Sequence, residues 1–236
     1  MSPLTSRLGV ESPRVVGIDA CKKGWIGVTS DLRGYFGTNI IEVIAVILDE
    51  GDLDVVAIDI PIGLPVTGSR QADTRARKLV GGRASSVFST PVRAALGASS
   101  HAEATAISVQ STGKGISQQA YALRKKIMEV DSWARTASQH VIEVHPEVCF
   151  AVMNGEVLRH PKSSWAGSEQ RRRILAKSGF CIPSHLGAAG ELAAPDDVLD
   201  AAAAAWTAAR FAQGIAVSHP ATPESFGDGH KAAIWV

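Results

Sequence analysis

The sequence predicts an α/β protein with a mixed five-stranded sheet, in which three antiparallel strands precede two parallel ones. Two apolar runs within residues 14–31 flank the turn Lys22–Gly24, and a third run, 34–41, follows another turn signal. Strands joined by such short connections pair in antiparallel fashion. Residues 42–50 then keep apolar side chains at helical spacing, and a fourth apolar run, 55–60, follows this helix. A right-handed crossover would place that strand parallel to the first.

The middle of the chain predicts a helical insertion. Residues 66–138 contain no strand-like run, and segments 70–80 and 117–138 have helical patterns with a Gly- and Ser-rich loop between them.

The last third of the chain predicts a return to the sheet. Residues 140–148 contain the fifth strand, and Pro146 takes the first position of the helix that follows. Residues 196–212 form an Ala-rich helix, and the terminal 230–236 adds at most a small extra strand. The order β-β-β-α-β-insertion-β-α-α is that of the ribonuclease-H-like arrangement.

Composition predicts a globular protein with one domain over 14–236 and a disordered tail over 1–13. Of the 236 residues, 45% are hydrophobic, and the tail lacks the apolar core of a signal peptide. The three cysteines form no C-x-x-C pair, which favours a reducing cytoplasm over a disulfide or zinc framework. We expect no membrane contact, and the oligomeric state is not predicted.

Basic residues are concentrated in two stretches although the formal net charge is only +1. Residues 70–93 and 159–177 are rich in Arg and Lys, which is typical either of solvated helix faces or of phosphate binding. The candidates for phosphate binding are Lys22, Lys23, Arg70, Arg77, Arg83 and Ser86. The small net charge argues against strong binding along a duplex, because that requires many phosphate contacts.

Acidic residues interrupt three apolar strands. Asp19 lies at the end of the first strand, Asp59 lies in "VVAIDIPIG", and Glu143 lies between Ile142 and Val144. The last helix adds Asp197 and Asp200, which are three residues apart and therefore on one face. Four of the five have a structural alternative: a turn cap for Asp19, an Arg partner for Asp59, a solvent-facing position for Glu143, and a helix-dipole contact for Asp197.

Taken together, the five acids predict a metal centre. Two unit charges about 4 Å apart repel by roughly 4 kcal/mol at an effective dielectric near 20, so converging carboxylates need protons or cations. Oxygen ligands without His or Cys favour Mg²⁺ or Mn²⁺. We therefore predict a two-metal site built from Asp19, Asp59, Glu143 and Asp200, with His145 as a candidate for proton transfer.

The chain resembles an uncharacterised prokaryotic family described as predicted ribonuclease-H-like nucleases. The segments that carry this resemblance are "GIDACKKGWIG", "AIDIPIGLP", "RQADTRARKLVGGRASSVFSTPVRAAL", "KKIMEVDSW", "EVHPEVCFAVMNG" and "DDVLDAAAAAWTA".

The segment "DVLDAAA" is also similar to the Asp-x-x-Asp-Ala pattern on the last helix of Holliday-junction resolvases. That resemblance implies helix-borne metal ligands at Asp197 and Asp200, the first-strand ligand at Asp19, and a middle acid at Asp59 or Glu143. Glu147 is nearby, and we interpret it as a helix-dipole residue.

The predicted activity is metal-dependent hydrolysis of a phosphodiester, either a small one or a single-stranded or structured nucleic acid. Two alternatives stay open: another phosphoryl-handling enzyme of the actin and sugar-kinase superfold, or a non-catalytic module that binds nucleic acid or protein. The first alternative needs a phosphate-binding loop of small residues after the first strand, but "CKKGW" has large and charged side chains there. The segment "STGKGIS" is not a P-loop either, because the first glycine of that motif is missing.

Overall fold

The sheet has seven strands. The computed structural model describes residues 13–236, and residues 1–12, which include most of the predicted tail, lie outside the described residues. The strands are β1 (Val15–Cys21), β2 (Gly24–Thr29), β3 (Gly34–Gly37), β4 (Val55–Ile58), β5 (His140–Val144), β6 (Ser218–Ser225) and β7 (Lys231–Trp235). Their order across the sheet is β3-β2-β1-β4-β5-β7-β6.

Ten α-helices accompany the sheet within the described range. They are α1 (Ile40–Leu48), α2 (Gln71–Val80), α3 (Arg93–Leu96), α4 (His101–Thr112), α5 (Gln118–Ala122), α6 (Arg124–Ala134), α7 (Pro146–Asn154), α8 (Trp165–Lys177), α9 (Ala188–Leu192) and α10 (Pro195–Ala212), with a 3-10 turn at Gly81–Ser86. No helix in this part of the chain combines the length and apolar character that crossing a bilayer requires.

The predicted mixed topology is confirmed. Strands β1, β2 and β3 pair in antiparallel fashion, whereas β4 lies parallel to β1 and β5 lies parallel to β4. This mixed α/β sheet is compatible with the ribonuclease-H-like class. It brings the carboxyl ends of β1, β4 and β5 to one edge, which is where ligand sites form in sheets of this kind.

The strand count differs from the prediction. The segment "SHPATPES" forms β6 although it contains two prolines, because it lies at the sheet edge, where a missing N–H is tolerated. The terminal strand β7 lies inside the sheet, parallel to β5 and antiparallel to β6. The C-terminal segment therefore adds two strands, β6 and β7, to the five that the sequence predicted.

The insertion is helical as predicted, but the loop expected inside it contains two further helices, α3 and α4. Ser100 caps α4, since its Oγ accepts a hydrogen bond from the Glu103 N–H at 3.2 Å. Asn39 likewise caps α1 at Glu42 (2.9 Å) and so ends the extended segment at Gly37, earlier than expected. In both places a local side-chain cap determines the boundary.

The sheet separates two apolar layers. Helix α10 covers the face that carries Val15 of β1 and Ala57 of β4, whereas α1 and α6 cover the face that carries Ile18 and Ile58. Side chains alternate between faces along a strand, so residues two apart in β1 or β4 point to the same layer.

Gly17 lets α10 pack directly on β1. A Cβ atom at Gly17 would lie 2.0 Å from the Ala205 nitrogen and 2.1 Å from the Ala201 carbonyl oxygen, which is far inside contact distance. The facing helix residues 201–205 are all alanines and all fully buried. The helix backbone therefore rests on the strand with no side chain between them.

We predict that Gly17→Ala destabilises the fold by about 3 kcal/mol or more, because the added methyl would overlap backbone atoms that cannot move independently. Gly82→Ala is the matched control, since a Cβ there has no heavy atom within 4 Å. Urea unfolding of both variants provides the measurement. Equal stability of the two variants would show that α10 does not rest on β1 in this way.

Candidate active site

Asp19 and Asp59 occupy equivalent ends of neighbouring parallel strands. The β1–β4 register aligns Ile18 with Ile58, and the Asp59 N–H donates to the Ile18 carbonyl at 3.0 Å. Asp19 lies two residues after Gly17, so its side chain is on the α10 face of the sheet. Asp59 lies two residues after Ala57, so its side chain is on the same face. The two carboxylates therefore lie side by side at one edge.

Asp200 reaches the same place from α10. It is adjacent to Ala201, one of the residues in backbone contact with Gly17, and its side chain is only 2% exposed. The Lys162 Nζ lies 2.5 Å from Asp200 Oδ2, while Oδ1 is buried and has no hydrogen-bond partner among the described residues. A buried acceptor without a partner costs free energy, so this oxygen is available to a ligand.

Burial raises the pKa of all three carboxyls. The pKa of Asp59 and of Asp200 is raised to about 7, and the Asp59 charge adds to the effect at Asp200. The pKa of Asp19 is raised by burial and then by Asp59 and Asp200. Lys162 lowers the pKa of each. One ammonium group faces three carboxyls, so near neutral pH this cluster either retains protons or accepts further positive charge.

Lys162 is a site residue that the sequence analysis did not single out. Burial lowers its pKa, but Asp200, Asp19 and Asp59 raise it, and the net result lies above its ordinary value. It belongs to a loop after α7 and was noted only as one member of the basic stretch 159–177. Nothing in its local pattern distinguishes it from the other basic residues, because its role depends on contacts distant in sequence.

The three carboxyls open onto a cavity of about 400 Å³. This volume is within the range of small-ligand pockets. The cavity has apolar and polar walls, whose residues include Phe88, Leu123, Val144, Ser86, Gln119, His145 and Arg83. The candidate site is therefore a bounded pocket whose lining includes the three buried aspartates.

Glu143 lines the same cavity as the three aspartates, but it is engaged by an ion pair. Its strand partner is Ile58, so its side chain starts from the opposite face of the sheet from Asp59. Both of its oxygens accept hydrogen bonds from Arg70, at 2.5 and 2.8 Å, and Oε2 also accepts from the Ile62 N–H at 2.7 Å. Burial raises the pKa of Glu143, and Arg70 opposes that shift. With both oxygens occupied, Glu143 is better described as half of a buried ion pair than as the predicted metal ligand.

The predicted phosphate-binding arginines are largely engaged by the protein itself. Arg70 is 1% exposed and is held by Glu143 and Asp73. Arg77 donates to the Val87 carbonyl at 3.0 Å and does not line the cavity. Arg83 lines the cavity but donates from Nε to the Leu158 carbonyl at 2.8 Å.

Lys22 and Lys23 are exposed in the β1–β2 turn and are not among the residues that line the cavity. The segment 111–117 spans the end of α4 and also lies outside the cavity lining. Ser86 does line the cavity. Of the six candidates, Ser86, Arg83 and the ion-paired Arg70 line the cavity, whereas Arg77 and the two lysines do not.

The remaining acids act at helix N-termini. The carboxylate of Asp197 accepts a hydrogen bond from the Ala194 N–H at 3.1 Å, which caps α10, and burial raises its pKa. Glu147 lies in the first turn of α7 and forms an ion pair with the buried Arg171. Both residues line the cavity, but each already has a structural partner.

His145 lies at the junction of β5 and α7 and lines the cavity. Its Nε2 is 3.4 Å from the Ser86 carbonyl, and its Nδ1 has no partner among the described residues. Burial lowers the pKa of this imidazole, which favours the neutral form near pH 7.

The donor chemistry of Asp19, Asp59 and Asp200 suits a hard divalent cation, and the unpartnered Oδ1 of Asp200 supports that fit. Within residues 13–236, however, no three or more Asp, Glu, His or Cys side chains are grouped as a ready-made metal site. A cation would therefore have to draw the carboxylates together and compete with Lys162 for Asp200.

We predict that the Asp59→Asn variant is more stable than the unchanged chain at pH 8 in EDTA, by about 1–3 kcal/mol. Since the pKa of Asp59 is raised to about 7, the folded chain keeps a proton that the unfolded chain releases near pH 4. The contribution of Asp59 to stability therefore falls as pH rises from about 4 to about 7.

Urea unfolding at pH 4.5, 6 and 8 measures this effect, with exposed Asp52→Asn as the control. The advantage of Asp59→Asn should shrink toward pH 4.5, and Asp52→Asn should follow the unchanged chain. A loss of stability for Asp59→Asn that is the same at every pH would contradict the electrostatic account.

Comparison with known proteins gives a family without an assigned activity. Residues 17–225 match the family described as "Protein of unknown function (DUF429)". No curated protein and no solved structure matches the chain. The matched residues include most of β1, the insertion, α10 and all three clustered aspartates. The chain therefore belongs to the DUF429 family of proteins of unknown function.

Proposed function

We propose that this protein is a phosphodiester hydrolase that depends on Mg²⁺ or Mn²⁺. The observation that carries the proposal is that Asp19, Asp59 and Asp200 meet in the lining of one cavity, with the pKa of each raised. Clusters of this kind are characteristic of functional sites, because a fold gains nothing from mutual repulsion of buried carboxyls.

Asp19, Asp59 and Asp200 would hold the cation. A divalent ion supplies positive charge where negative charge develops on phosphate oxygens during hydrolysis. The two-metal arrangement expected from the sequence used Glu143 as a further ligand, and Glu143 is held by Arg70. The proposal for this chain therefore uses three aspartates and requires only one cation.

The other cavity residues would bind and orient the substrate. Lys162 and Arg83 add positive charge to the cavity lining, which would favour a phosphate group there. An apolar part of the wall, formed by Phe88, Leu123 and Val144, would exclude water from the site. Electrostatic contacts in the cavity would then be stronger, because the local dielectric constant is lower. Neutral His145 can accept a proton from an attacking water.

The resemblance to predicted ribonuclease-H-like nucleases supports the same reaction class. Two of its implied ligands, Asp19 and Asp200, lie in the cluster. The ion pair of Glu143 with Arg70 supports Asp59 as the proposed middle acid. The substrate would be a nucleic acid or a small phosphodiester. Free thiols at all three cysteines suit a cytoplasmic location.

We predict that the chain hydrolyses bis(p-nitrophenyl) phosphate in the presence of Mn²⁺ and that Asp19→Asn lowers kcat by roughly 100-fold or more, since one ligand and its charge are lost. Release of nitrophenolate measures the rate. Asp52→Asn, on the surface, should behave like the unchanged chain.

Three results would count against the hydrolase. Activity that survives in Asp19→Asn would indicate a contaminant or another site. Hydrolysis of ATP without diester cleavage would favour a kinase-like enzyme. Absence of any turnover would favour a binding module.

We predict that Lys162→Met lowers stability in EDTA at pH 8 by about 1–3 kcal/mol and increases the stabilisation by Mn²⁺. The carboxyls lose their counter-charge, and the cation no longer competes with the ammonium group at Asp200. Lys22→Met, at an exposed position away from the cavity, is the matched control.

Thermal unfolding of both variants with EDTA and with a Mn²⁺ titration gives the two quantities. A smaller Mn²⁺ effect in Lys162→Met than in Lys22→Met would show that Lys162 supports the cation, which is opposite to the competition proposed here.

A further inference from the structure

Trp165 is the most exposed large hydrophobic side chain within residues 13–236, with 80% of its surface accessible. It is the first residue of α8. Trp is usually buried over most of its surface, so an indole left in solvent is informative. A single exposed apolar residue is common on protein surfaces, so the surroundings of Trp165 decide whether it forms part of a contact surface.

Trp165 shares a groove with cationic side chains. Residues 165, 169, 173 and 177 are spaced by four along α8 and line a shallow groove of about 500 Å³. Arg173 is 78% exposed, and Lys177 is also exposed. Glu169 is the acid in this row and lies 4.0 Å from Arg173. The groove therefore offers an aromatic plane and two cations to a partner.

A short loop joins this groove to the cavity. The cavity lining includes loop residues Pro161, Lys162 and Ser163. The groove lining includes the residues on either side of them in sequence, His160 and Trp165. The two sites are therefore separated by a few residues of one segment.

The loop is fixed firmly to α8. Ser164 Oγ donates to the Pro161 carbonyl at 2.8 Å and accepts from the Gly167 N–H at 3.1 Å. A Cβ at Gly167 would lie 1.9 Å from that carbonyl oxygen, so the loop packs directly on the helix. The backbone of the loop that carries Lys162 is therefore fixed to the first turn of α8, which carries Trp165.

We propose that the substrate is a single-stranded nucleic acid that enters the cavity with one nucleotide and stacks a neighbouring base on Trp165. This inference rests on the proposed function and names its substrate class. Every base presents a π face, and stacking on an aromatic side chain contributes about 1–3 kcal/mol per base. Arg173 and Lys177 then contact backbone phosphates.

The single strand fits better than a duplex for two reasons. Bases inside a duplex are already stacked on each other and cannot cover Trp165 without unpairing. The net charge of +1 also gives little attraction for a long polyanion, so a few local contacts have to provide the affinity.

The test is fluorescence anisotropy of a labelled twelve-residue oligothymidylate with the full chain in EDTA, where cleavage is suppressed. Trp165→Ala should weaken binding by about 5- to 100-fold. Trp165→Phe should restore most of the affinity, because it retains an aromatic plane. Ile215→Ala, at another exposed apolar position, should bind like the unchanged chain.

Arg173→Gln should in addition reduce the slope of log affinity against log salt by about 0.7, as expected for one lost phosphate contact on a single strand. This readout separates a phosphate contact from a general loss of structure.

The inference is overturned if Trp165→Ala binds the oligonucleotide as the unchanged chain does, or if a duplex of equal length binds as tightly. It is also overturned if Trp165→Ala abolishes self-association of the chain while no oligonucleotide binds. Trp165-dependent binding without hydrolysis of bis(p-nitrophenyl) phosphate supports the surface and contradicts only the hydrolase.

Discussion

The contact between α10 and β1 at Gly17 determines the character of the acidic cluster. Because no side chain separates the two backbones, Asp200 is brought to the strand end where Asp19 and Asp59 already lie. The same contact buries the carboxyls, and burial is the largest cause of their raised pKa values. A feature that looks like simple helix-on-sheet packing thus sets the electrostatics of the cavity. Lys162 offsets part of the resulting charge from a loop that belongs to neither element.

The molecule contains buried carboxylates in two different states. Glu143 is fully matched by Arg70 and a backbone N–H, which is how a structural ion pair is satisfied. Asp200 has one lysine contact and one oxygen without a partner among the described residues. The first arrangement is complete without a ligand, whereas the second becomes complete by taking up protons or a cation. This difference is the physical reason to place the chemistry at the aspartates.

Much of the fold could be predicted from the sequence because its signals are local. Strands β1 and β4 are apolar runs that end in an acid, and α10 is an alanine-rich helix, so Asp19, Asp59 and Asp200 could be nominated together. The failures involve distant partners. The side of the sheet on which Glu143 lies depends on register, and its match with Arg70 joins residues 73 positions apart. Strand β6 was missed because its prolines argue against a strand unless the sheet edge is known.

A crystal structure of the protein grown at pH 8 with Mn²⁺ tests the central claim most directly, because anomalous scattering locates the ion without reference to activity. The account predicts a peak within coordination distance, about 2.0–2.3 Å, of carboxylate oxygens from Asp19, Asp59 and Asp200, with the Glu143–Arg70 pair intact. A peak at Glu143, or no peak with Lys162 still bound to Asp200 in saturating Mn²⁺, would contradict it.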